Sequence, residues 1–122
     1  MNKKPLMKDE NNNDLYITIG RYATEGNIYL GLVTEDDSYC DITINLPDVY
    51  KPSKESVYLS AELPKEVLDK LIDKEIVSDV LWEEKYNMGT YKLVQIFPEH
   101  LKDYLFQEQY EEYFADNELE LT

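Results

Sequence analysis

The fold is decided by Asp14-Leu15-Tyr16-Ile17-Thr18-Ile19-Gly20-Arg21 and by two later stretches that repeat its rhythm, Ile28-Tyr29-Leu30-Gly31-Leu32 and Tyr39-Cys40-Asp41-Ile42-Thr43-Ile44-Asn45-Leu46. Leu15, Ile17 and Ile19 alternate with Tyr16 and Thr18. Successive side chains of a strand point to opposite faces, so this period of two predicts a strand with one apolar face. The pattern resumes with Ile28, Leu30 and Leu32 after Ala23-Thr24-Glu25-Gly26-Asn27, a turn in which Gly26 can take a positive φ. It resumes again with Cys40, Ile42, Ile44 and Leu46 after Glu35-Asp36-Asp37-Ser38. Three such strands on short polar turns predict an antiparallel meander. Tyr16, Tyr29 and Tyr39 share the opposite parity, which predicts a tyrosine-bearing sheet face together with Thr18, Asp41 and Thr43.

Outward from the meander, Pro47 and Pro52 interrupt the sheet, because neither strand nor helix interiors accept proline. Val57 to Ala61 is expected as a short fourth strand. Leu63-Pro64-Lys65-Glu66 starts a helix whose Val67, Leu68, Leu71 and Ile72 fall on one face. Ile76 to Trp82 fits either state, and Trp82 fits either core or anchor. Asn87-Met88-Gly89 is a turn before a strand over Thr90 to Phe97. Pro98 opens a second main helix, with Leu101, Tyr104 and Leu105 on a stripe that Phe106, Tyr110, Tyr113 and Phe114 continue obliquely. The expected layout is a disordered leader over 1–13, one α+β domain over 14–115 and an acidic tail over 116–122.

The 122 residues carry 12 Lys+Arg against 26 Asp+Glu, a net charge of −14. That charge excludes direct nucleic-acid binding through a basic footprint and attraction to anionic membranes. It is also polarised: residues 1–54 carry a net −3, residues 55–122 a net −11, and no basic residue follows Lys102. No window reaches the roughly 18 apolar residues of a membrane helix, and the N-terminus lacks the apolar stretch of a secretory signal, so a cytoplasmic location is expected.

The inventory for chemistry is thin. One cysteine and one histidine give neither a disulfide nor a zinc cluster. Cys40 shares the parity of Ile42 and Ile44, which makes it a core thiol rather than a nucleophile. The acidic loops Asp9–Asp14 and Glu35–Asp41 lack the glycine and terminal acid of a calcium loop. No glycine-rich phosphate loop is present. The expectation is a non-enzymatic protein with no catalytic residue, metal or cofactor. What stands out is the placement of acids: Glu108, Glu111, Glu112, Asp116, Glu118 and Glu120 accumulate around Tyr110 and Tyr113. Glu108 and Glu112 lie four apart, so a helix would set them on one face about 6 Å apart in rise, comparable to the spacing of backbone phosphates. Such a row suits a basic groove that tracks a nucleic-acid backbone, with the tyrosines adding buried area. These eight residues are the candidate partner-binding set. The alternative is a solvated helix face for the acids, and for the tyrosine-bearing sheet either recognition or packing.

Tyr16-Ile17-Thr18-Ile19-Gly20-Arg21-Tyr22, Gly26-Asn27-Ile28-Tyr29-Leu30 and Thr43-Ile44-Asn45-Leu46-Pro47 occur in an order that resembles a family of small uncharacterised proteins carried on conjugative plasmids and transposons of Gram-positive bacteria. Tyr58-Leu59-Ser60-Ala61-Glu62-Leu63-Pro64 and Tyr86-Asn87-Met88-Gly89-Thr90-Tyr91 fit the same layout, so the likeness spans roughly residues 14 to 105. In size, charge and setting the chain is similar to the anti-CRISPR proteins of such elements, which inhibit the type II effector nuclease. The resemblance implies an acidic inhibitor that binds a CRISPR effector nuclease on its basic guide-RNA or DNA surface and blocks nucleic-acid loading. The alternative it implies is an accessory interaction module of a conjugative element, binding a protein partner through the tyrosine-bearing sheet.

Overall fold

The computed structural model describes residues 3–23 and 26–115. Its α+β architecture comprises two antiparallel sheets and, in the C-terminal half, short helices. The first sheet has the order β1-β2-β3-β4, with β1 Met7–Lys8, β2 Asp14–Arg21, β3 Ile28–Val33 and β4 Ser38–Asp41. The second has the order β5-β6-β8-β7, with β5 Thr43–Ile44, β6 Ser56–Leu59, β7 Trp82–Tyr86 and β8 Gly89–Gln95.

The alternation read from the sequence is realised in β2 and β3. Leu15, Ile17, Leu30 and Leu32 are fully buried while Tyr16 and Tyr29 on the opposite face are partly exposed. The two strands pair from Tyr16↔Val33 to Arg21↔Ile28. The stretch expected as one third strand instead changes sheets at Ile42. Its N–H donates to Leu30 O (2.9 Å) in the first sheet, and its carbonyl accepts from Ser60 N–H (2.9 Å) beside the second. Buried Thr43 fixes the crossing: its hydroxyl oxygen accepts from Leu30 N–H at 3.1 Å and bonds the Tyr22 hydroxyl at 3.0 Å.

Helix α1, Lys65–Asp73, follows Pro64 and buries Val67 and Leu71. It ends with Ile76 N–H on Leu71 O (3.0 Å) and Glu75 N–H on Ile72 O (2.9 Å), the paired bonds of a Schellman motif. Glu75 takes the left-handed position with φ 59°. Ile76 and Val77, ambiguous in the sequence, are buried, and Val77 bridges Ile96. The predicted turn at Asn87-Met88 closes the β7–β8 hairpin, with Asn87 at φ 53°.

Two further expectations are corrected. The segment read as a disordered leader is built into the fold from Lys3 onward. Leu6 is buried, its N–H donates to Leu15 O (2.8 Å), Met7 pairs Leu15, and Lys4 N–H donates to Asp103 O (3.0 Å). The turn that returns this strand is held by Asp9, whose Oδ1 accepts from the N–H groups of Asn11 and Asn13 at 2.8 Å each. The second main helix is broken into pieces: α2 Pro98–Leu101, a 3₁₀ turn Lys102–Tyr104, α3 Gln107–Tyr110 and a π turn Glu111–Ala115. Leu105 and Phe106 are extended between them. Across the break, Leu101, Tyr104, Leu105 and Phe114 are all buried in the main core cluster. The expected tail over 116–122 lies outside the described residues.

Candidate protein-interaction surfaces

The acidic surface is set by how the C-terminal segment is pinned. Phe114 is buried, and Tyr110 and Tyr113 pack half-buried against the main core. Cations from elsewhere in the chain cap these rings: Lys102 Nζ lies 5.6 Å from the Tyr110 centroid and the Arg21 guanidinium 5.0 Å from that of Tyr113. Burial, then the charge of Glu112, raises the Tyr113 phenol pKa against the opposing pull of Arg21. The two tyrosines therefore anchor the segment to its own protein.

With its apolar side held down, the segment turns Glu108, Glu111 and Glu112 to solvent. Glu111 accepts a hydrogen bond from Gln107 Nε2 at 3.1 Å. The ion pairs formed among the described residues, Lys8–Asp14 and Lys65–Asp69, involve none of these three acids. Asp116, Glu118 and Glu120, the rest of the predicted set, lie outside the described residues. Glu108, Glu111 and Glu112 sit on one α turn and the π turn that follows it directly, in place of the single second helix expected.

The N-terminal segment borders this cluster. Lys3 donates to Ile17 O at 3.0 Å, and its ammonium lies 4.8 Å from the Phe106 centroid and 5.7 Å from that of Tyr16. Burial lowers its pKa. With Val33, Thr34 and Glu35 these residues line an open groove of about 480 Å³.

The tyrosine-bearing face exists, and its hydroxyls are largely committed within the molecule. Tyr29 donates to Asp41 Oδ1 at 2.7 Å and stands edge-on to Tyr22, with centroids 5.6 Å apart. Tyr39, at the bulge where Val33 pairs Ser38 and Leu32 pairs Cys40, reaches Glu10 at 3.2 Å. Cys40 is half-buried against the core, and burial pushes its thiol pKa up.

A surface the sequence did not single out lies on the second sheet. Tyr50, 71% exposed, stacks on Trp82 with centroids 6.2 Å apart and ring planes 13° from parallel. The Tyr58 hydroxyl donates to Tyr50 O at 2.8 Å and holds the loop that carries it. Val80 and Leu81 are exposed beside the stack, and Met88 projects fully from the hairpin tip. Trp82 thus proves to be a surface aromatic. Among the described residues no helix is long and apolar enough to cross a membrane, and no group of three His, Cys, Asp or Glu side chains is placed to hold a metal. No family model matches the chain, and neither a curated protein nor a solved structure matches it.

Proposed function

We propose that this chain is a non-enzymatic, acidic binding protein that docks on a basic surface of a protein partner in the cytoplasm. Its specific form is the anti-CRISPR type: occupying the guide-RNA or DNA surface of a type II effector nuclease and so blocking nucleic-acid loading. The observation that carries the reading is the exposed cluster of Glu108, Glu111 and Glu112, held on a segment whose apolar side is fixed in the core and ion-paired to no described cation. Carboxylates already positioned at a surface meet a basic groove with little ordering cost, and complementary charge accelerates encounter. An effector channel that holds a nucleic-acid backbone supplies the matching surface.

The test is cleavage by a purified type II nuclease, with the protein added before or after guide RNA at two salt concentrations. The reading expects inhibition only on addition before the guide, weakening as salt rises. It also expects Glu108→Lys, Glu111→Lys and Glu112→Lys together to abolish inhibition while the circular dichroism spectrum is kept. No inhibition across several such nucleases, or unchanged potency of the triple variant, would overturn it.

A second reading is favoured by the Tyr50–Trp82 stack: an accessory interaction module whose partner is gripped by aromatic rather than acidic residues. Capture that survives high salt and is lost in Tyr50→Ala, but not in the charge-reversed variant, would select it.

A further inference from the structure

We propose that β7 is a self-association edge: two copies of the chain pair antiparallel through Trp82–Tyr86 about a two-fold axis at Glu84. Among the described residues β7 is the outermost strand of its sheet and pairs only with β8. No backbone hydrogen bond among the described residues reaches Glu83 or Lys85 from outside that hairpin. A two-residue hairpin closes on a hydrogen-bonded pair, here Tyr86 and Gly89, so alternation leaves the N–H and C=O of Glu83 and Lys85 aimed at the open edge. Edge strands are commonly blunted by proline, a bulge or a covering element, and between Trp82 and Tyr86 the register runs without proline or bulge.

The occupant is argued from self-complementarity. Trp82-Glu83-Glu84-Lys85-Tyr86 reads aromatic, acid, acid, base, aromatic. Laid antiparallel on itself about Glu84, it sets Trp82 against Tyr86 of the second copy and Glu83 against Lys85 of the second copy, each twice by symmetry. The aromatic pairs fall on the face that carries Tyr58 and Leu93, extending the Tyr50–Trp82 stack, and the ion pairs fall on the other face. The neighbouring two-fold registers lack this match. About Glu83, Trp82 would face Glu84; about Lys85, the two lysines would face each other. The opposing cost is one Glu84–Glu84 contact on the axis and the −14 carried by each copy. A single short edge gives a weak dimer, with a dissociation constant on the order of 100 µM.

The test is sedimentation equilibrium of the full chain at moderate salt, where net-charge repulsion is screened. Lys85→Glu, which faces Thr90 within its own hairpin, should weaken the dimer by roughly tenfold, because both symmetric ion pairs become repulsive. The swap Glu83→Lys with Lys85→Glu should restore wild-type association, since each pair is again opposite in sign. Lys85→Pro, which removes the edge N–H, should give monomer. Circular dichroism establishes that each variant folds. A wild-type monomer at concentrations on the order of 1 mM would overturn the proposal. So would a dimer indifferent to Lys85→Glu and Lys85→Pro, or a folded swap variant that remains as weak as Lys85→Glu.

Discussion

Tyr29 donates its hydroxyl to Asp41 Oδ1 at 2.7 Å, joining β3 to β4 on the face away from the core. The bond depends on the residue between them in the pairing. Gly31 is the register partner of Asp41, and the Tyr29 ring lies over the space a side chain at Gly31 would fill. A glycine inside a strand costs backbone entropy, and the ring laid across it recovers contact area.

Gly31→Ala should therefore displace the ring, because the added methyl would overlap the Tyr29 hydroxyl and lie 2.9 Å from its Cζ. The expected loss is about 1–2 kcal/mol of unfolding free energy by urea titration. Tyr29→Phe, which keeps the ring and removes only the hydrogen bond, should lose about 0.5–1 kcal/mol. If Gly31→Ala costs nothing, the ring is not held where the structure places it.

The same bond sets an alkaline response. The Tyr29 phenol pKa is raised well above its ordinary 10.0, first by burial and then by the Asp41 carboxylate that accepts its proton. Tyr22, Tyr39, Tyr58 and Tyr113 are raised as well, each chiefly by burial. A group whose folded pKa exceeds its unfolded value contributes stability that is complete below the unfolded value and lost as pH rises through the folded one. The window opens near pH 10 and extends upward. Tyrosinate absorbance should show a late-ionising group above pH 10, and Tyr29→Phe should remove one phenol from it. A late part of the titration left unchanged by Tyr29→Phe would contradict it.

How much of this was legible depends on whether a segment buries one face. β2 and β3 were readable because Leu15 and Ile17 alternate with half-buried Tyr16 and Thr18, and Ile28 and Leu30 flank half-buried Tyr29. β7 was not, because Trp82-Glu83-Glu84-Lys85-Tyr86 buries none of its residues fully and carries three charges in a row between its aromatic ends. The exposure of Glu108, Glu111 and Glu112 followed from their charge. The break at Leu105 had no proline or glycine to announce it and arises from packing both flanking pieces on one core. The Tyr50–Trp82 stack joins a loop to a distant strand, a contact only the assembled second sheet creates.

Glu75→Gly is expected to stabilise the protein. Glu75 occupies the left-handed position at the end of α1, where a Cβ is disfavoured and glycine is the usual occupant. A carboxylate also lies against the negative end of the helix dipole there. Relief of both should outweigh the extra entropy glycine gives the unfolded chain, for a net gain of about 0.5–1 kcal/mol by thermal or urea unfolding. A loss of stability would show that the Glu75 side chain makes a contact worth more than its backbone strain.

Leu6 decides whether the N-terminal segment is part of the fold or merely precedes it. It is 4% exposed, belongs to the main core cluster and donates its N–H to Leu15 O at 2.8 Å. Lys4 just before it bonds Asp103, so the segment also braces the chain that leads to the acidic cluster. Truncating a buried leucine removes transfer free energy and leaves a cavity, so Leu6→Ala should cost about 2–3 kcal/mol in urea unfolding. A substitution in a leader that touched nothing would change stability by less than about 0.5 kcal/mol. Amide exchange separates the routes by which the loss is felt: protection should fall at Leu15 and Leu6 first, since their strands share the pairing. A change below that smaller figure, with protection at Leu15 intact, would return residues 3–8 to the status of an unattached leader.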